Sequence, residues 1–137
     1  MNGDADAESP PETWLRYADI DLALMRSVLN AGGPAGEVCF HAQQATEKAL
    51  KGLLESQQIK VPYTHHLVAL HEMAPATLRP GVNLERLDRL TELEAQSRYP
   101  GEWAEPTDEE ARWSSEMAAS VVQAVKEAFG ESGELLD

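Results

Sequence analysis

Apolar residues recur at intervals of three and four along most of this chain, which is the spacing of one face of an α-helix. Separate runs of this pattern predict five helices. No segment alternates apolar and polar residues with period two, and β-branched residues are sparse. The chain is therefore predicted to be all-α, a bundle of helices. The predicted helices cover about residues 12–30, 37–57, 65–74, 84–98 and 108–130.

Short local signals indicate where these helices begin and end. Thr64 and Asn83 are good N-caps for the third and fourth helices, and Thr107 with Glu110 forms a capping box for the fifth. Gly130 is expected to end the fifth helix. Helical spacing also predicts which residues face the core in the first helix (Trp14, Ala18, Leu22, Met25 and Leu29) and in the fourth (Leu84, Leu87, Leu90 and Thr91).

The acidic ends of the chain frame a single predicted domain. Residues 1–11 are expected to form a flexible acidic tail, residues 12–130 the domain, and residues 131–137 a second acidic tail. The net charge of −13 argues against a protein that coats nucleic acid electrostatically. Residues 37–98, however, hold seven basic and eight acidic residues, so this region is the expected place for an anionic ligand. The alternative is that the acidic flanks only confer solubility.

The cysteine count and the length of the apolar runs indicate the compartment in which the protein is found. Cys39 is the single cysteine, which excludes an internal disulfide and cysteine-rich zinc motifs and fits a reducing compartment. No apolar run is long enough to span a membrane, and the first nine residues lack the features of a signal peptide. We therefore expect a cytoplasmic protein without a membrane segment, metal or cofactor.

The second predicted helix carries a polar row that could bind a ligand. Its members fall within an arc of about 80° on the helical wheel, and they are His41, Gln44, Lys48 and Lys51. Two ammonium groups, an imidazole and an amide on one face could hold a phosphate or a nucleobase. The alternative is a solvated face on which Glu47 pairs with Lys51 at i,i+4 spacing.

Another face of the same helix is rich in small residues. Ala42, Ala45, Ala49 and Gly52 fall within one arc, which would let a neighbouring helix approach closely. Gln43 lies apart from both faces and is expected to be partly buried with hydrogen-bond partners.

Three ordered motifs resemble those of the HEPN domain, whose name refers to nucleotide binding in higher eukaryotes and prokaryotes. The stretch from Cys39 to Leu54 resembles the signature helix of that family. Thr64-His65-His66-Leu67 stands where such domains carry Thr-His-Asp-Leu, and Ser97-Arg98-Tyr99-Pro100 matches their Ser-Arg-Tyr-Pro. His66 therefore replaces the usual Asp, which puts in doubt any function that needs that carboxylate. The resemblance covers roughly residues 13–129.

The resemblance implies a four- or five-helix up-and-down bundle that binds a nucleotide or nucleic acid. It also implies self-association as a homodimer, and a small nucleotidyltransferase as partner in a toxin–antitoxin-like or defence system. Trp14 and Trp113 are candidate anchors of the homodimer, because large aromatic side chains dominate the energetics of interfaces. Arg98 and Tyr99 join the polar row as expected ligand residues, since Arg can hold a phosphate and Tyr can stack on a base. Helix capping and packing are the alternative roles of this pair.

Enzymatic and metal-binding alternatives are less well supported by the residues. HEPN ribonucleases carry an Arg followed four to six residues later by a His, and no Arg here has a His within that distance. A ribonuclease toxin with a non-standard site and a purely structural interaction module stay open as alternatives. His65 or His71 with Glu72 has no standard zinc spacing, and polar residues of a short helix are the simpler interpretation.

Overall fold

The computed structural model describes residues 8–97, 99 and 101–136, and within them every regular element is an α-helix. The prediction of an all-α bundle is therefore confirmed. Five helices follow one another along the chain: α1 (Pro10–Asn30), α2 (Ala35–Ser56), α3 (Leu67–Met73), α4 (Leu84–Gln96) and α5 (Asp108–Leu136). No helix in the described part of the chain combines the length and apolarity that crossing a membrane requires.

Helix α2 forms the centre of the bundle, since it packs against all four other helices. It packs most extensively against α1 and α5. Its small residues Ala42, Ala45 and Ala49 are fully buried, as the sequence pattern predicted. At Gly52 an added Cβ would lie 3.0 Å from the Cβ of Trp14. The absence of a side chain at Gly52 therefore allows α1 to approach α2 closely enough to bury the polar residues between them.

Two of the predicted helix starts are confirmed and one is wrong. The side chain of Asn83 accepts the backbone N–H of Arg86, and Thr107 with Glu110 forms the reciprocal bonds of a capping box. Thr64 does not cap α3, because its hydroxyl accepts the N–H of His66 and the chain stays extended as far as that residue.

Helix α3 begins at Leu67, whose N–H donates to the Thr91 hydroxyl of α4 at 3.1 Å. A tertiary contact thus replaces the local cap that the sequence suggested.

Other corrections concern helix ends. Leu29 and Leu84 are 39% and 48% exposed, because each lies in a terminal turn that the neighbouring helices no longer cover. Helix α5 continues through Gly130 to Leu136, since Gly130 does not adopt the positive φ of a glycine stop. Helix α1 begins at Pro10, inside the segment expected to be a tail, because Ser9 and Glu12 form a capping box.

Candidate functional site

A buried carboxylate of α1 joins two members of the predicted polar row. The Asp21 side chain is 8% exposed and accepts from His41 Nδ1 at 3.1 Å and from Lys48 Nζ at 2.6 Å. Because a carboxylate can only accept, His41 Nδ1 carries a proton, and in the neutral ring Nε2 keeps its lone pair. His41 and Lys48 are therefore oriented by α1 rather than free in solvent.

A second buried carboxylate, Glu47, organises the other end of the row. It accepts from Gln43 Nε2 at 2.9 Å, from Lys51 Nζ at 2.9 Å and from His65 Nδ1 at 3.0 Å. Burial opposes ionisation of Glu47, but the hydrogen bonds from these three groups together outweigh it and hold the pKa of the carboxyl below its ordinary value. Glu47 thereby ties the segment that leads into α3 onto α2.

Gln43 is fully buried within this network, which is more than the partial burial expected, and it has the hydrogen-bond partners that were predicted. Besides its bond to Glu47, its amide donates to the carbonyl of His65 at 3.3 Å, and its oxygen accepts from Gln44 at 2.7 Å.

The Gln43→Leu substitution should lower the free energy of unfolding by about 1–3 kcal/mol, because it leaves the buried partners of the amide unsatisfied. Urea denaturation followed by circular dichroism would measure the loss. A neutral or stabilising result would show that these hydrogen bonds are not essential.

The four members of the row differ in how accessible they are. Lys51 is 9% exposed at its side chain and ion-paired with Glu47, which confirms that predicted pairing. The side chains of His41 and Lys48 are 17% and 26% exposed, so these two residues offer the more accessible polar groups. Gln44 is half-buried and donates to Gln43. The row is thus not a simple solvated face, because two buried carboxylates neutralise its cations.

An exposed aromatic ring adjoins Lys48 on the surface of α1. Tyr17 is 44% exposed, with the guanidinium of Arg16 4.7 Å from its ring centre and Lys48 Nζ 5.9 Å from it. Arg16 also pairs with Glu8 at 3.0 Å. Two cations beside a ring form a surface that can take both a phosphate and a base.

Sequence reasoning missed Tyr17, Arg16 and Asp21, although one signal was present. Asp21 lies three residues after Ala18 and four before Met25, on the face of α1 that faces the core. An acidic residue at such a position requires a buried partner.

Tyr99, one of the two other predicted ligand residues, is not part of this cluster. Arg98 lies outside the described residues. Tyr99 is 55% exposed and lines a cleft beside residues 34–37 at the start of α2. Lys48 is eleven residues further along the same helix than Glu37, a distance of about 16 Å. The cluster and the cleft are thus separate surfaces.

The other residues considered as metal ligands or nucleophiles, His71 and Cys39, are buried within the bundle. His71 is buried, and its Nε2 donates to the carbonyl of Pro80 at 2.7 Å. The described residues contain no group of three or more His, Cys, Asp or Glu side chains placed to hold a metal ion. Cys39 is buried beside Ser114, and burial raises the pKa of its thiol, which makes it a poor nucleophile.

Comparison with known proteins identifies the family. The sequence model of the HEPN domain matches residues 11–128. The chain belongs to the HEPN domain family. No curated protein matches this HEPN chain.

Two solved structures resemble this HEPN domain closely in fold. The crystal structure of TT1696 from Thermus thermophilus is 29% identical with a TM-score of 0.73. The crystal structure of ST0689, an archaeal HEPN homologue, is 28% identical with a TM-score of 0.68. Each comparison covers 88% of this chain and 98% of the other. The expected HEPN-type bundle is thereby confirmed.

Proposed function

We propose that this HEPN domain binds a nucleotide, or the end of a nucleic-acid chain, on the surface formed by Tyr17, His41 and Lys48. The observation that carries the proposal is the position of the Lys48 ammonium between the buried carboxylate of Asp21 and the exposed ring of Tyr17. The ring supplies a stacking platform for a base, and Lys48 with His41 supplies donors for a phosphate.

The other row residues support this surface from within. Lys51 and Gln44 are held by Glu47 and Gln43, so in the proposal they fix the geometry of α2 rather than meet the ligand first. Arg98 lies outside the described residues and is proposed as a further phosphate contact on the family resemblance alone. We do not assign Tyr99 to the phosphate, because Glu37, Glu105 and Asp108 line the same cleft.

Removing the Lys48 side chain tests the proposal directly. Lys48→Ala should weaken ATP binding about tenfold, because a charge-assisted hydrogen bond to the phosphate is lost. Isothermal titration calorimetry measures the affinity, which should also fall as salt is added.

Lys60→Ala is the matched control, because Lys60 is exposed and has no ion-pair partner among the described residues. Equal affinity of the wild type and Lys48→Ala would assign Lys48 a purely structural role.

We further propose a small nucleotidyltransferase as partner, as the HEPN systems that this chain resembles imply. A chain with a net charge of −13 is poorly suited to hold nucleic acid alone, which supports a shared task. Co-expression with a nucleotidyltransferase encoded nearby, followed by size-exclusion chromatography, tests the proposal. Separate elution of the two chains would reject it.

Self-association is proposed to use α1. Ile20 and Leu24 are 44% and 46% exposed and lie four residues apart, so they form one apolar stripe on α1. The anchors expected from the sequence are less exposed. Trp14 and Trp113 are half-buried, the first near Lys51 and the second near Arg86.

Leu24→Glu should convert a homodimer into a monomer, because a charge replaces apolar surface in the stripe. Light scattering coupled to size-exclusion chromatography measures the mass. Leu84→Glu is the matched control, since Leu84 is 48% exposed on a different helix. A wild-type monomer at high concentration, or equal loss of the dimer in both variants, would contradict this interface.

The alternative of a ribonuclease is favoured by one observation. Asp21 accepts a hydrogen bond from His41 Nδ1, so Nε2 of the neutral ring can accept a proton, as a general base does. Metal-independent RNA cleavage by the chain alone, lost in His41→Ala, would favour the enzyme over the binding module.

A further inference from the structure

A second surface with ligand-binding character lies where α2 begins, α4 ends and the connection to α5 passes. Tyr99 and Trp103 line a cleft there with a volume of about 360 Å³. The two rings are 55% and 56% exposed. We call this surface the aromatic cleft. Exposed large aromatic side chains of this kind are enriched in the centres of protein interfaces.

The charges that line the aromatic cleft define what it can hold. Glu37, Glu105 and Asp108 line it and are exposed, and no cation among the described residues forms an ion pair with any of them. The N-termini of α2 and α5 contribute about half a positive charge each. Three carboxylates exceed these dipoles by roughly two charges, and the sequence neighbour Arg98 can offset at most one.

We propose that the aromatic cleft binds an arginine or lysine side chain presented by a basic segment of a partner protein. A guanidinium or ammonium group can stack on the face of Trp103 or Tyr99, where the ring quadrupole attracts a cation. The carboxylates of Glu37 and Glu105 then accept its N–H groups. The aromatic ring and the carboxylates of Glu37 and Glu105, which we call the acidic rim, thus act on the same cationic group.

Charge complementarity favours a cationic side chain over a phosphate or a second copy of this chain. A phosphate group would meet the same three carboxylates and be repelled. A second copy of this chain carries a net charge of −13, so its surface offers mostly the wrong sign. The aromatic cleft is therefore distinct from the nucleotide surface, and this inference does not depend on nucleotide binding.

The probe is a synthetic peptide, acetyl-Gly-Arg-Gly-Arg-Gly-amide, titrated while tryptophan fluorescence is recorded. Saturable binding is expected, and a peptide with Gln in place of both Arg residues should not bind. Trp103→Ala should weaken binding about twofold to fivefold, as expected for loss of an exposed cation–π contact. Because this variant removes one fluorophore, its affinity is measured by calorimetry.

Replacing the acidic rim gives the sharper test. The double variant Glu37→Gln and Glu105→Gln should weaken binding about tenfold or more. The control is Glu72→Gln with Glu116→Gln, which removes the same charge from exposed positions outside the cleft. Equal weakening in both double variants would show only general attraction to an acidic protein. That result, or no binding of the Arg peptide by the wild type, would overturn the proposal.

Discussion

Replacing Glu47 with alanine is expected to lower the free energy of unfolding by about 3–5 kcal/mol, the range for breaking a buried ion pair from one side. Glu47 and Lys51 are 8% and 9% exposed at their side chains, so the substitution leaves an unpaired ammonium where water has little access. Gln43 and His65 lose their acceptor at the same time. The loss should therefore exceed that of an ordinary surface substitution.

Urea denaturation of the wild type and two glutamate variants of α2 measures this effect. Glu55→Ala is the matched control, because Glu55 lies on the same helix outside the ion pairs of the described region and should change stability by less than about 0.5 kcal/mol. If Glu47→Ala is no more destabilising than Glu55→Ala, Glu47 does not hold the network together.

The ionisation of Glu47 also makes the free energy of unfolding depend on pH. Because the pKa of Glu47 is lower in the folded chain than its ordinary value of 4.5, the stabilisation is fully present above that pH. It is lost as the pH falls through the lowered pKa of the folded state. Glu47→Gln should flatten this part of the stability profile.

Asp21→Asn is expected to tighten ATP binding about tenfold, in contrast to Lys48→Ala, because it frees Lys48 from a charge-assisted bond. In the wild type, a phosphate must compete with the Asp21 carboxylate, which lies 2.6 Å from Lys48 Nζ. The amide oxygen of asparagine can still accept from His41 Nδ1, but its NH2 group only donates, so it cannot replace the carboxylate oxygen that accepts from Lys48. The substitution thus keeps the bond to His41, and it removes the anion that competes with a phosphate for Lys48.

Calorimetric titration of ATP measures the change, and Asp19→Asn is the control. Asp19 lies on the same helix and pairs with Lys126 at 2.8 Å, so its replacement changes the net charge equally at another place. Unchanged affinity in Asp21→Asn, or an equal gain in Asp19→Asn, would mean that Asp21 does not regulate the binding surface.

The sequence predicts what depends on neighbours along the chain. Asn83 and the pair Thr107 and Glu110 were recognised because a cap involves residues only three apart. The buried position of Gln43 followed from the helical wheel, because the residues beside it are apolar. Periodicity failed at Leu29, because a repeating pattern does not show where the covering helix ends.

The candidate site depends on contacts between distant segments. A helical wheel placed His41 and Lys48 on one face, but it could not show that α1 brings Asp21 against them from 20 and 27 residues away. In the same way His65 reaches Glu47 from a segment 18 residues further on. These pairings follow from the packing of helices, which the sequence of α2 alone does not contain.

A nucleotide that binds between α1 and the polar row of α2 should change the environment of both helices, which backbone amide NMR during ATP titration detects residue by residue. The largest saturable shifts are predicted for the amides of residues 16–21 and 41–48, with residues 101–108 unaffected. Saturable shifts confined to other parts of the chain, or no saturable shift at all, would contradict the account.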